Sequence, residues 1–115
     1  FDCDNLKKIN DKYGHEKGDV YLMTACRLIC RVFQHSPVFR IGGDEFAIIA
    51  TNVDESILRI RLDALKAVSL CDELPCGFSA GYSEVVIEEN NAYDKAFIRA
   101  DKEMYEYKNS KKINV

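Results

Sequence analysis

Residues 40–46 read Arg40-Ile41-Gly42-Gly43-Asp44-Glu45-Phe46 and lie between two apolar, β-rich runs, Val38-Phe39-Arg40-Ile41 and Phe46-Ala47-Ile48-Ile49-Ala50. Two such runs joined by glycines predict a β-hairpin. The glycine pair suits a two-residue turn with positive φ, and it removes side chains that would hold a ligand away from the backbone. Asp44 and Glu45 then fall where the turn meets the returning strand, a place from which two carboxylates can hold a metal. An acidic Gly-Gly turn is, taken alone, an ordinary solvated hairpin tip. The run Gly42-Gly43-Asp44-Glu45-Phe46 is far rarer, arising by chance at about one position in a million on average residue usage. It therefore directs attention to the rest of the chain.

Upstream stands Phe1-Asp2-Cys3-Asp4-Asn5-Leu6-Lys7-Lys8-Ile9-Asn10-Asp11-Lys12-Tyr13-Gly14-His15-Glu16-Lys17-Gly18-Asp19, and downstream Ala100-Asp101-Lys102-Glu103-Met104-Tyr105-Glu106-Tyr107-Lys108. With the hairpin run these resemble, in order, three motifs of the GGDEF family of diguanylate cyclases. The first is a strand ending in Asp-x-Asp, a short Phe-Lys-x-Ile-Asn-Asp helix and a Gly-His-x-x-Gly-Asp turn, with Leu6 here at the place of the Phe. The second is the signature hairpin, and the third a closing Ala-Asp-x-x-Met-Tyr-x-x-Lys helix. Three ordered matches across nearly the whole chain make coincidence implausible.

Composition agrees. A chain of 115 residues with 47% hydrophobic residues fits one domain with a core of its own. It holds no apolar run near 18 residues and no leader-like start, so the chain as given is expected neither to span nor to contact a membrane. The formal net charge of −3 argues against nucleic-acid binding driven by counterion release. Positive charge gathers instead at Lys102, Lys108, Lys111 and Lys112. The five cysteines are odd in number and lack a Cys-x-x-Cys or zinc-like spacing, which points to a reducing cytoplasm. Cys26 and Cys30, at i and i+4, read as small core residues.

Periodicity gives a coarse map. Asp4 suits the cap of a short helix reaching about Lys12 and ended by Gly14; Asp19 suits the cap of the next, with Leu22, Cys26, Ile29, Cys30 and Phe33 as its buried stripe. Residues 54–68 read as a helix bearing Ile57, Leu58, Arg61, Leu62 and Leu65 at helical spacing. Residues 76–87 read as strand, turn and strand about Gly81. Asn91 and Asp94 resemble a capping pair for a last helix in which Phe97, Ala100, Met104 and Lys108 line up and the aromatic positions are expected in the core.

The family resemblance implies an α+β fold of the nucleotidyl-cyclase or polymerase-palm kind, an antiparallel sheet with helices packed against it on a ferredoxin-like core. It also implies that residues 1–115 form a single GGDEF domain lacking the family's N-terminal helix and most of its first strand. The implied activity joins two GTP molecules into cyclic di-GMP with loss of pyrophosphate. The implied cofactor is Mg²⁺ or Mn²⁺, two ions per active site, held by Asp2, the backbone carbonyl of Cys3, Asp44 and Glu45, with Asp44 and Glu45 also catalytic. Helix-start N–H groups of Asn5 and Leu6, together with Lys108 and Lys112, would bind phosphates. Lys112 stands where the family has an arginine, and so lacks its bidentate fork.

Asn10 and Asp19 would read guanine, whose adjacent N1–H and N2–H₂ donors suit a carboxylate. His15 would orient the Gly14–Gly18 loop. Implied partners are a second copy of the domain and an upstream sensor domain. Many family members carry Arg-x-x-Asp as a product-binding site, with five residues between its Asp and the signature; here Phe33-Gln34-His35-Ser36 occupies that place. The second function class is a non-catalytic GTP-binding regulatory module acting on an attached or partner domain.

Overall fold

The computed structural model describes residues 1–68 and 77–113, the side chains of residues 112 and 113 excepted. Its elements are β1 (Asp2–Cys3), α1 (Leu6–Tyr13), α2 (His15–Val32), β2 (Val38–Arg40), β3 (Phe46–Ile48), α3 (Glu55–Lys66), β4 (Phe78–Ser79) and α4 (Ala92–Ile113). The fold class is α+β. The chain forms two compact units, one of residues Asp2–Phe78 and one of Ser79–Val115 with Phe1. No described helix is long and apolar enough to cross a membrane.

In the first unit β2 and β3 form the expected antiparallel hairpin, with Val38 opposite Ile48 and Arg40 opposite Phe46. The turn differs from the two-residue form. Ile41 N–H donates to the Glu45 carbonyl at 3.0 Å, so the loop is Gly42-Gly43-Asp44, and neither glycine takes a left-handed φ. A side chain holds this loop instead: the Arg40 guanidinium donates from Nε to the Gly42 carbonyl (3.2 Å) and from Nη2 to the Gly43 carbonyl (2.7 Å).

β1 joins the exit of this turn on one side and β4 on the other. Asp4 is not a helix cap. Its N–H donates to the Gly77 carbonyl at 2.9 Å, so the chain is still engaged beside the sheet at this point. Reversal into α1 comes one residue later at Asn5, which takes φ 60°, a conformation asparagine reaches at low cost. Nor does Asp19 cap α2, because Gly14 (φ 89°) breaks the chain earlier and the helix starts at His15.

The buried line of α2 runs through Gly18, Tyr21, Ala25 and Ile29 and on to Phe33; it keeps Ile29 and Phe33 of the predicted stripe, while Tyr21 and Ala25 take the buried places expected of Leu22, Cys26 and Cys30. Cys26 is half-buried and Cys30 exposed, so neither is the core residue expected. The reason is Tyr21, whose buried hydroxyl lies 2.8 Å from the Asp4 carbonyl and 2.9 Å from the Gly77 carbonyl and so sets the rotation of the helix. α3 begins after Asp54 and buries Leu62 and Leu65, while Ile57 stays exposed.

In the second unit the predicted strand-turn-strand at 76–87 is reduced. Cys76 lies outside the described residues, and after β4 residues 80–87 form no strand. Arg99 holds this segment instead, donating to Ser83 Oγ (2.8 Å) and the Glu84 carbonyl (2.9 Å) and pairing with Glu89 (3.4 Å). Such side-chain bonds satisfy the backbone where a ladder is missing.

α4 starts after Asn91, whose carbonyl accepts from Lys95 N–H at 3.0 Å. Its buried residues are Ala96 and Met104, whereas Tyr93, Phe97 and Tyr105 are exposed, against the expectation that its aromatics are core. The cause is the close approach of Gly81: a Cβ there would overlap the backbone at Ala100 and Met104. That contact selects the 96–100–104 face of the helix and turns Phe97 away from it.

Candidate metal and nucleotide site

The first unit brings Asp2 together with the signature turn. Cys3 N–H donates to the Asp44 carbonyl at 2.8 Å, and Asp2 bridges Glu45 in antiparallel fashion. This register sets three carboxylates together: one oxygen each from Asp2, Asp44 and Glu45 lie within 4.8 Å of one another. Asp2 is only 2% exposed, while Asp44 and Glu45 are half-buried. At about 5 Å and an effective dielectric of about 20, each pair of ionised groups repels by about 3 kcal/mol. The donor set fits a hard divalent cation such as Mg²⁺, which takes oxygen ligands and offsets that repulsion.

Cys3 fits into this arrangement as a neutral residue. Its thiol is pushed up to about 12, first by burial and then by the charges of Asp2 and Asp44. With no metal bound it therefore stays protonated at neutral pH. The turn itself is open: a Cβ on Gly43 would meet nothing within 4 Å, and one on Gly42 only ordinary contact with Glu45. Neither backbone strain nor internal crowding demands glycine here, and the outer face of the turn is left accessible.

Asn10 lies on α1 and Asp19 on α2, and the two helices pack on each other. Gly18 is the key to this contact, since a Cβ on it would overlap the Asn10 carboxamide oxygen. The Asn10 side chain thus rests on α2 one residue before Asp19, which is exposed and accessible. Asn5 and Leu6 open α1 directly after β1 and Asp4, and His15 is exposed at the start of α2.

The family model described as the diguanylate cyclase GGDEF domain matches residues 1–114. The chain belongs to the GGDEF family. Among curated relatives of this GGDEF domain, diguanylate cyclase DgcP of Escherichia coli is 36% identical over 118 residues, covering 96% of this chain and 34% of the relative. The chain thus spans about a third of that relative. Cyclic di-GMP phosphodiesterase PdeR of Escherichia coli is 45% identical over 58 residues, covering 50% of this chain and 9% of the relative. In three dimensions the domain is similar to the GGDEF domain of DgcB from Caulobacter crescentus, crystallised in complex with c-di-GMP. That match has a TM-score of 0.79 and 26% identity and covers 95% of this chain and 69% of the other.

Two residues singled out from the sequence belong to the second unit of the GGDEF domain. Lys108 lies on α4, half-buried, with its Nζ 6.0 Å from the Tyr105 ring centroid. Lys112 lies near the end of α4, and its side chain is outside the described residues. Sequence reasoning did not assign Arg40, which holds the turn, or Tyr21, which docks α2 on the end of β1, and it gave Gly18 a loop-shaping part where the structure shows it making room for Asn10. Arg40 and Gly18 were within quoted motifs, but a donor's acceptor and a missing Cβ's neighbour are tertiary facts.

Proposed function

We propose that this GGDEF domain is a diguanylate cyclase that condenses two GTP molecules into cyclic di-GMP. The carrying observation is the Asp2–Asp44–Glu45 cluster, one carboxylate from β1 and two consecutive ones from the signature turn within 4.8 Å, next to two open glycines. In the reaction the 3′-hydroxyl of each GTP attacks the α-phosphate of the other; a P–O bond forms, the bond to pyrophosphate breaks, and the hydroxyl proton is lost. Two Mg²⁺ or Mn²⁺ ions held by Asp2, Asp44, Glu45 and the Cys3 carbonyl would supply activation of the hydroxyl and charge neutralisation at the leaving group.

The chain's own residues do the rest. Glu45 orients the attacking hydroxyl and favours loss of its proton, and Gly42 and Gly43 let the nucleotide approach the backbone. Asn5 and Leu6 N–H groups receive the β- and γ-phosphates at the start of α1; Lys108 and Lys112 are the phosphate lysines that the family resemblance implies. Asp19 accepts from guanine N1–H and N2–H₂, and Asn10 meets the remaining base edge. One domain presents one GTP, so the full reaction takes two copies face to face. Cytoplasmic GTP is the substrate pool, and an attached sensor domain would control turnover.

The match to PdeR, a phosphodiesterase, supports a second reading: a GTP-binding module that regulates an attached or partner domain without turnover. Incubation of the protein with GTP and Mg²⁺, followed by chromatography, separates them. Cyclic di-GMP and pyrophosphate are the expected products; bound GTP returned unchanged would replace the cyclase reading with the regulatory one.

A further inference from the structure

We propose that Cys26 and Cys30 on α2 form a dithiol site that captures a soft, thiophilic centre of the arsenic(III) class as a chelate across one helical turn. Both are free thiols, spaced i and i+4 within an 18-residue helix. Side chains at that spacing are neighbours, with Cβ atoms about 5–6 Å apart. The buried line of α2 passes through Tyr21, Ala25 and Ile29, which leaves Cys26 half-buried and Cys30 exposed at the edge facing solvent.

Geometry chooses between the reactions open to such a pair. A direct disulfide prefers Cβ atoms about 3.5–4.5 Å apart, so it would require unwinding this turn of the helix. A single bridging atom with bonds to sulfur of about 2.3 Å spans the pair with the helix intact. The protonation state points the same way. The Cys30 thiol is raised by partial burial and then by the charge of Cys26 and a hydrogen bond with it. A thiol raised in this way reacts more slowly as a single nucleophile with peroxide or alkylating agents. A centre that binds both sulfurs at once has the second thiol delivered at high effective concentration.

The step balances without an oxidant. An organoarsenic(III) oxide, R–As=O, takes two thiols to give R–As(S–Cys26)(S–Cys30); two As–S bonds form, and the two thiol protons leave with the oxide oxygen as one water. Arsenic remains trivalent and both sulfurs remain at the thiolate level.

The test uses phenylarsine oxide and the full chain carrying Cys71→Ser and Cys76→Ser, since those two cysteines lie outside the described residues. Intact-mass spectrometry is expected to show one adduct per chain, at the mass of the reagent less one water. It should survive excess glutathione and be removed by 2,3-dimercaptopropanol. Cys26→Ser and Cys30→Ser should each weaken retention by at least ~10²-fold, the loss expected when a chelate becomes a single bond. Moving the thiol off the face, Cys30→Ser with Arg31→Cys, should not restore it. Circular dichroism checks that each variant keeps its helices. Absence of a glutathione-resistant adduct, or one that persists in both single-serine variants, would overturn the proposal. The outcome is independent of GTP binding or turnover.

Discussion

The carboxamide oxygen of Asn10 occupies the place that a side chain on Gly18 would fill. This contact is part of the packing of α1 on α2 and sets a polar group against the residue that precedes Asp19. Alanine at position 18 would gain about 1 kcal/mol of helix propensity but would displace Asn10, with overpacking costs of about 1–3 kcal/mol. Gly18→Ala is therefore expected to change the melting temperature little while weakening GTP binding at least ~10-fold. A variant that binds GTP as the parent does would show that Asn10 plays no part in nucleotide recognition.

Charge at the signature turn, more than shape, is expected to carry turnover. Asp44→Asn and Glu45→Gln keep size and change only the capacity to hold a cation or orient the hydroxyl. Each should lower kcat by at least ~10²-fold with a melting temperature at or slightly above that of the parent, since each also relieves carboxylate repulsion. Turnover and thermal melting are measured side by side; near-normal turnover in both variants would end the metal assignment.

Asp19 offers a cleaner test of base selectivity than its sequence position suggested. Because α2 begins at His15, Asp19→Ala removes no helix cap. Loss of the proposed carboxylate contact with guanine is expected to cost ~1–3 kcal/mol in GTP binding and far less in ATP binding. Titration with both nucleotides gives the ratio, and an unchanged ratio would take Asp19 out of the base pocket.

Tyr21→Phe is expected to destabilise the first unit, since it strips a hydroxyl from between the Asp4 and Gly77 carbonyls without altering ring packing. Leaving those buried acceptors less satisfied costs ~1–3 kcal/mol. Urea unfolding reads this directly as a lowered midpoint with an unchanged slope. A midpoint equal to that of the parent would mean that water replaces the hydroxyl.

Product inhibition through the usual family site is expected to be absent. Phe33 is 2% exposed and closes the buried line of α2, so its ring packs where an arginine would reach outward. His35 has φ 68° in the following bend, and Ser36 offers a hydroxyl in place of a carboxylate. Neither charge-assisted contact with a nucleotide survives. Calorimetric titration of nucleotide-free protein with cyclic di-GMP should show no tight binding there, with Phe33→Arg/Ser36→Asp as the gain-of-site control. Tight binding to the parent that disappears when Gln34 and His35 are changed would prove the expectation wrong.

The β-rich runs about residues 40–46, the helical period of residues 55–66 and the three motifs were readable because hydrophobic alternation and glycine placement are local properties. They were enough to determine the family, the hairpin and the acids at its turn. What the sequence could not determine was orientation. Helix rotation depends on distant acceptors: Tyr21 is drawn to carbonyls at Asp4 and Gly77, and this turns Cys30 to solvent. The aromatics of α4 looked like core by spacing, yet the approach of Gly81 selected the face of Ala96 and Met104. The cluster itself follows the same rule. Asp2 and Asp44 are remote in the chain, and the antiparallel bridge of Asp2 to Glu45, with the hydrogen bond from Cys3 N–H to the Asp44 carbonyl, fixes the register that makes them neighbours. Local pattern decides which residues form strands and turns; backbone pairing between distant segments decides which side chains meet.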